Sequence, residues 1–406
     1  MCSICGGTSF DYMQNIFLSA KNRGRDYSNL FARGNSWICN HRAVPTTEVK
    51  NPSNNQPFGT EYKVVHNGVI SNDKELGCKP GEIDSSVLPE VLNFTNLESF
   101  AESLNKIKGS YAIAVLKPDG NFYLACNYKP IFYAYDKNNK QFYFSSYEQH
   151  LPKELNIKRL QPYSVMDSKT RKTITLPRTI YNHCVVIASG GLDSTAVAAW
   201  ACKTYTKVTL LHFNYGCIAE SQELEKIKEI TTYFQQLYPN KEIQLDVVDL
   251  PFKFLTGKLF GNPDDITNGI EGREYANEWV PARNLMMMGI AVSYAEAKKA
   301  SYIALGTNLE EGGAYPDNEN QFIMDFDKCL YGAVQNGNYV EVMTPVGNLM
   351  KHEIVKFGMQ YNAPFHLTWS CYRNGDKACG HCGSCFLRKI AFERNGYKDP
   401  IKYEED

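Results

Sequence analysis

Short apolar runs separated by clusters of Asn, Gly, Asp and Pro fill residues 1 to about 150: NSWICNHRAV, EYKVVHNGVI, SYAIAVL, NFYLACNY, PIFYAY and QFYFSSY. Runs of this kind bounded by turn formers predict β-strands joined by hairpins. Helical spacing is weaker and confined to residues 84–93 and 97–107, so a layered α+β or sandwich core is expected. Residues 151–181 hold several prolines and basic side chains and predict short strands at most. The grammar then changes. CVVIA (184–188), KVTLLHFNY (207–215), EIQLDVVDL (242–250) and SYIALGT (301–307) read as buried strands. AVAAWACKTY, ESQELEKIKEITTYFQQLY and ARNLMMMGIAVSYAEAKKA read as the helices between them. Strand and helix in alternation, with β-branched strands, predict a parallel, doubly wound sheet.

Length and composition add limits to that picture. A chain of 406 residues suits two domains, each with its own core. A formal net charge of −1 gives no general attraction for nucleic acid, though it leaves room for a local basic groove. No run of about 18 apolar residues is present, so no membrane span is expected, and the first residues lack the charged-then-apolar pattern of a secretory leader. A cytoplasmic location is the expectation. Thirteen cysteines would then be reduced, and clustered ones read as metal ligands. Cys126, Cys184, Cys202 and Cys329 lie in apolar stretches and are expected to be small buried hydrophobes.

The first chemical signal is SGGLDST (189–195), between a buried strand and a helix. Gly190 and Gly191 allow a tight turn with no Cβ in the way of a ligand. Backbone N–H groups at the helix start would face an anion. No lysine follows the glycines, so this is not a Walker loop. The heptapeptide resembles the PP-loop of the N-type ATP pyrophosphatases, which cleave ATP between the α- and β-phosphates and adenylate their substrates. The resemblance implies an ATP site at Ser189, Gly190, Gly191, Leu192, Asp193, Ser194 and Thr195, with Mg²⁺ accompanying the nucleotide.

The second signal is Cys371, Cys379, Cys382 and Cys385, in the pattern C-x₇-C-x₂-C-x₂-C. Four thiolates at such spacing can close a tetrahedron around Zn²⁺, leaving no open position, so the metal is expected to be structural. An iron–sulfur cluster is the rival. His381 lies inside the loop and is read as a bystander. Loop and knot together, with FNYG (213–216), EWVPARN (278–284), GTNLEEGGAYPD (306–317), TP (344–345) and CGHCGSCFLR (379–388), resemble the QueC family of 7-cyano-7-deazaguanine (preQ0) synthases. That resemblance implies a doubly wound PP-loop domain of the adenine nucleotide alpha hydrolase-like kind over 182–406, ending in a zinc knot at 371–385. It implies that 7-carboxy-7-deazaguanine is adenylated, attacked by ammonia, activated again as the amide, and dehydrated to a nitrile. It further implies that Arg283, Asn284, Tyr315, Pro316 and Asp317 line the substrate pocket or its entrance. The chain departs from the family pattern where Cys217 and Ile218 replace a Gln–Arg pair, Asn318 replaces a cysteine, and Gln321 replaces a carboxylate that would suit a guanine-like N–H edge.

Such chemistry needs a nitrogen donor, which gives meaning to MCSICGG at the start. With Met1 removed, Cys2 would carry a thiol beside its own α-amine. MCSICG, RGRD (23–26), NHR (40–42), QP (56–57), HNGVISN (66–72), IDSSV (83–87) and KGSYAIAV (108–115) together resemble a class II glutamine amidotransferase. This implies an Ntn-type α+β sandwich over residues 1–175. In it Cys2 would be the nucleophile, Asn67 and the Gly68 N–H the oxyanion hole, Arg42 the partner of the glutamine α-carboxylate, and Asp84 that of its α-ammonium. His41 and His66 are read as hydrogen-bonded core residues and Cys5 as buried. Asn127 and Tyr128 stand where that family has an Arg–Asp pair, with an effect expected on packing.

The combined reading is a glutamine-dependent, adenylating QueC-like enzyme acting on small molecules: glutamine, ATP and a deazaguanine. Alternatives left open are amidation or ligation of a deazaguanine on tRNA, DNA or a protein, an asparagine-synthetase-like ligase, and a nucleotide-binding scaffold without activity. The knot argues against the ligase. No membrane partner is expected, and a homodimer is left open.

Overall fold

The structure, a computed structural model, describes residues 2–44, 51–250, 254–270 and 278–405. Met1, whose removal the Cys2 reading needs, lies outside the described residues. The chain forms two compact units, Met1–Arg178 and Thr179–Asp406.

In the first unit, two antiparallel sheets face each other. One runs in the order Tyr27–Arg33, Ser36–Arg42, Ser3–Gly7, Gln141–Ser145, Phe132–Asp136 and Ile157–Arg159. The other runs Thr173–Thr175, Ser164–Asp167, Phe122–Cys126, Gly109–Leu116 and Lys63–Ile70. Ile4, Ile38, Phe142 and Phe144 of one sheet pack with Val65, Ala112, Ala114, Leu124 and Met166 of the other, and these side chains form the sandwich core. The outer face of the first sheet is covered by the helix Met13–Lys21, through Ile16 and Ala20 against Cys5, Trp37, Cys39 and Tyr143. The helix Leu97–Ser103 lies against the second sheet, with Phe100 stacked on Tyr123 at 5.4 Å. All seven residues of Ser36–Arg42 are buried because both faces of that strand are covered.

All six apolar runs form strands. The two weak helical patterns shrink to single turns and one short helix: Asp84–Val87 is 3₁₀, Leu88–Val91 one α-turn, and Leu97–Ser103 ends in a 3₁₀ turn. The strand Ser3–Gly7 and the helix Met13–Lys21 have no counterpart in the sequence reading.

The second unit holds a five-stranded parallel sheet in the order Glu242–Asp249, Lys207–Asn214, His183–Ile187, Tyr302–Ala304 and Glu341–Met343. Numbered from its own first strand, the order is 3-2-1-4-5. The direction of winding therefore reverses between His183–Ile187 and Tyr302–Ala304, where such sheets open a crevice at their carboxyl ends. Helices Leu192–Thr204 and Glu220–Leu237 pack on one face around Ala198, Cys202, Ile227 and Phe234. Arg283–Ala297 packs on the other through Met288, Ala291 and Ala295. Three further long helices, Asn320–Ala333, Lys351–Gln360 and Gly383–Glu393, and the single turn Leu309–Gly312 also belong to the unit.

Of the cysteines expected to be buried, Cys126, Cys184 and Cys202 are, and Cys329 is exposed. It sits on a helix whose buried face is carried by Ile323 and Leu330, so its apolar neighbours in sequence face the other way.

Candidate active sites and a candidate metal centre

Cys2 precedes the central strand Ser3–Gly7, and its carbonyl accepts Arg23 Nε at 3.0 Å. Burial pushes its thiol above the ordinary cysteine range. An N–H from Ala43 and the Arg42 cation pull it down, and Asp84 pushes it up again. Cys2 thus shares one electrostatic environment with Arg42 and Asp84, and the raised thiol is predominantly protonated at neutral pH.

Asn67 lies on Lys63–Ile70 in the other sheet, 2% exposed, and its Nδ2 donor has no partner among the described residues. A buried amide donor left unsatisfied is costly unless something else fills its place. Gly68 follows; a Cβ there would lie 1.9 Å from the Ser110 carbonyl oxygen and 2.6 Å from His66 Nε2, so only glycine fits. Asp84 is fixed by N–H donors from Ile70 and Ser85, at 2.7 and 2.8 Å. Gln56 holds the strand by accepting from the His66 N–H and donating to the His66 carbonyl at 3.1 Å. His66 bonds Ser85 and Ser110 through its ring, and His41 bonds Ser28 at 2.8 Å; both are buried. Cys5 is buried. Asn127 stitches its own turn to the Gly109 carbonyl and the Tyr111 N–H.

In the second unit, SGGLDST leaves the end of His183–Ile187 at the reversal point of the sheet. Gly190 adopts φ +83°, and a Cβ there would press within 3.1 Å of the Glu223 carbonyl oxygen. Gly191 caps the helix Leu192–Thr204 and, as glycine, brings no side-chain acceptor of its own, so the helix start can offer amides to an anion. The loop is pinned from outside: Trp369 N–H donates to the Gly190 carbonyl at 2.9 Å, and Ser370 Oγ accepts from Leu192 N at 3.3 Å. Ser194 Oγ contacts Ser189 N and Oγ, whereas Thr195 turns inward, fully buried.

Around the loop lies a cavity lined by Ser189, Gly191, Asp193, Tyr215, Glu223, Arg283 and further residues including Asn284 and Asn318. Lys351, which the sequence reading passed over, also lines it, and its ammonium sits 2.6 Å from Asp193 and 3.1 Å from Glu311. Burial opposes that charge, but the two carboxylates outweigh it and hold Lys351 above the ordinary lysine range. Asp193 Oδ1 and Thr307 Oγ1 remain buried without partners among the described residues. Of the five residues expected at the substrate pocket, Arg283 and Asn284 line this cavity and Tyr315, Pro316 and Asp317 do not. Asp317 stands behind it, accepting from the Asn284 N–H at 3.0 Å, and Tyr315 Oη accepts from Glu278 N. Asn284 Nδ2 donates to Asn318 Oδ1 at 2.6 Å. Among the departures from the family pattern, Cys217 and Asn318 line the cavity; Gln321 is exposed on its helix and does not.

Cys371, Cys379, Cys382 and Cys385 are all buried, with their sulfurs within 4.8 Å of one another. Cys371 Sγ accepts N–H bonds from Arg373 and Cys379, and Cys379 Sγ one from Cys382. Donors aimed at sulfur favour thiolates, and four thiolates so close need a cation between them, so the residues fit a metal ion. His381 turns its Nδ1 to the Cys379 carbonyl instead. Arg388 backs the knot, fully buried, bound to Asp399, Thr368, Ser370 and the Phe365 carbonyl.

Comparison with known proteins gives two family matches. Residues 183–396 match the queuosine biosynthesis protein QueC, and residues 41–153 match a glutamine amidotransferase domain. Cys2 lies outside the second match. A 7-cyano-7-deazaguanine synthase from Sulfolobus acidocaldarius is 45% identical over 392 residues, covering 90% of this chain and 84% of its own. One from Saccharolobus solfataricus is 43% identical over 392 residues, covering 91% and 84%. One from Nautilia profundicola is 35% identical over 226 residues, which is 54% of this chain but 98% of the relative.

Proposed function

The chain belongs to the QueC family and carries a glutamine amidotransferase domain ahead of its QueC domain; from this we propose that it makes 7-cyano-7-deazaguanine from 7-carboxy-7-deazaguanine, using ATP and glutamine. The observation that carries the reading is the shared cavity, in which the PP-loop faces Arg283 and Asn284 across a space that also holds Lys351.

The Cys2 sulfur attacks the glutamine amide carbon, with the α-amine freed by loss of Met1 taking the thiol proton. Negative charge on the amide oxygen meets Asn67 Nδ2, the donor that lacks a partner, and the Gly68 N–H. Arg42 and Asp84 hold the amino acid end of glutamine. Ammonia leaves, and water releases glutamate from the sulfur.

In the second unit, an oxygen of the substrate carboxylate attacks the α-phosphorus of ATP and pyrophosphate leaves. Ser189, Gly190, Gly191, Leu192, Asp193, Ser194 and Thr195 form the cradle, with Asp193 and Lys351 beside the phosphates. Mg²⁺ bound with ATP would supply charge neutralisation there, and the unpartnered Asp193 Oδ1 fits that role. Ammonia displaces AMP and loses a proton, giving the amide. The amide oxygen then attacks the α-phosphorus of a second ATP, expelling pyrophosphate, and departure of AMP with loss of both N–H protons leaves the nitrile. Cys371, Cys379, Cys382 and Cys385 would hold Zn²⁺ as a closed structural site.

Incubation with ¹⁵N-amide glutamine, ATP, Mg²⁺ and 7-carboxy-7-deazaguanine should yield a labelled nitrile by mass spectrometry, with two AMP per product. Unlabelled product in the presence of bulk ammonium, or no AMP, overturns the reading. Turnover only on a tRNA, DNA or protein acceptor would replace the substrate. Metal analysis should give one zinc per chain and no visible iron–sulfur absorbance.

A further inference from the structure

The cavity beside the PP-loop presents three carboxylates: Asp193, Glu311 and Glu223. Two are committed, since Asp193 and Glu311 share the Lys351 ammonium. Glu223 has no ion-pair partner among the described residues; the Cys217 thiol lies 4.0 Å from its Oε2. Arg283 lines the same cavity and also closes no ion pair among the described residues; its Nη1 donates to Tyr215 Oη at 3.3 Å. Glu223 and Arg283 lie in each other's field without closing an ion pair, so a ligand that contacts both would satisfy two half-buried groups at once. Tyr215, Tyr372 and Trp369 supply aromatic surface between and around them, suited to a flat heterocycle.

The sequence pattern led to an expectation that the loss of a carboxylate at Gln321 removes the acceptor for a guanine-like edge. Gln321 is exposed and outside the cavity, so nothing is lost there. We propose that Glu223 is the acceptor for the N1–H and 2-amino N–H donors of a guanine-type base, while Arg283 faces the carboxylate at the opposite end of the same planar ligand. This rests on the function proposed above and names the residue that selects its substrate class. A carboxylate accepts two parallel N–H donors in one plane, and a base lacking the amino group offers one.

The groups that face Glu223 come from several elements. Cys217 and Tyr215 lie on the loop after Lys207–Asn214, Glu220 on its own helix and Arg283 on the helix Arg283–Ala297; Asp193, Glu311 and Lys351 stand on the PP-loop side. Burial pushes its carboxyl up to about 7, with Arg283 pulling down and Glu220 pushing up. Above that value it is an acceptor. Below it the proton blocks one oxygen, so ligand capture weakens as pH falls.

The test is steady-state kinetics of the full chain with 7-carboxy-7-deazaguanine and with the analogue lacking the 2-amino group. The parent should prefer the amino compound by about 10²-fold in kcat/KM, and Glu223→Gln should raise KM for it by about 10- to 100-fold and erase most of the preference. Glu223→Asp should restore part of it. The parent's kcat/KM should fall below about pH 7, with that limb absent in Glu223→Gln. Retained preference and an unchanged acid limb in Glu223→Gln would overturn the assignment while leaving the function intact. No turnover of either compound by the parent would overturn both.

Discussion

At the scale of single residues, the amidotransferase chemistry proposed above turns on the charge balance at Cys2. Burial raises the thiol and Arg42 lowers it, so the thiolate needed for attack is the minor form at neutral pH. Glutaminase kcat/KM should therefore climb with pH above neutrality. Removing the cation in Arg42→Met should move that limb to higher pH, besides lowering kcat/KM through lost substrate binding. A pH–rate series on glutamate release checks both; an unmoved limb would detach Arg42 from the nucleophile. The places of Asn67 on a strand, of Asp193 in a strand-to-helix turn and of the four cysteines in one cluster were readable in the chain. Lys351 and Glu223 were not. Each stands in a charged helical stretch that looks like a solvated face, and Lys351 meets Asp193 across 158 positions. No local pattern encodes that meeting.

At the scale of elements, legibility followed hydrophobic content. The buried parallel strands and the long helices announced themselves, whereas Ser3–Gly7 did not, because SICGG has poor strand propensity. Its glycines are there for packing: a Cβ on Gly6 would lie 2.5 Å from the Phe144 ring and one on Gly7 2.5 Å from that of Tyr143. Sheet partners override propensity here. The strand-to-helix turn at the PP-loop makes a different demand. Gly190→Ala puts a side chain at φ +83° and 3.1 Å from a backbone oxygen, a cost of about 1–3 kcal/mol. Thermal unfolding of that unit should drop by about 3–10 °C, and KM for ATP should rise about tenfold or more, read by pyrophosphate release. An unchanged KM would mean the loop does not hold the nucleotide.

At the scale of the whole molecule, two units with separate hydrophobic cores should unfold as two calorimetric transitions. Cys382→Ser removes one metal ligand and should lower one transition by about 10 °C or more, since a closed site contributes its binding free energy to folding. The other should stay within about 2 °C. Equal shifts in both would show that the cores are not independent.

The pinning of the PP-loop by Trp369 and Ser370 has a consequence for supply. Both residues lie one and two positions before Cys371, on the segment the knot anchors, and they brace the loop through Gly190 and Leu192. On the function proposed above, chain made without the metal would lose that brace and grip nucleotide loosely. On the same proposal, glutamine hydrolysis in the other unit would run on without a consumer, so scarcity of a trace element would surface first as wasted nitrogen.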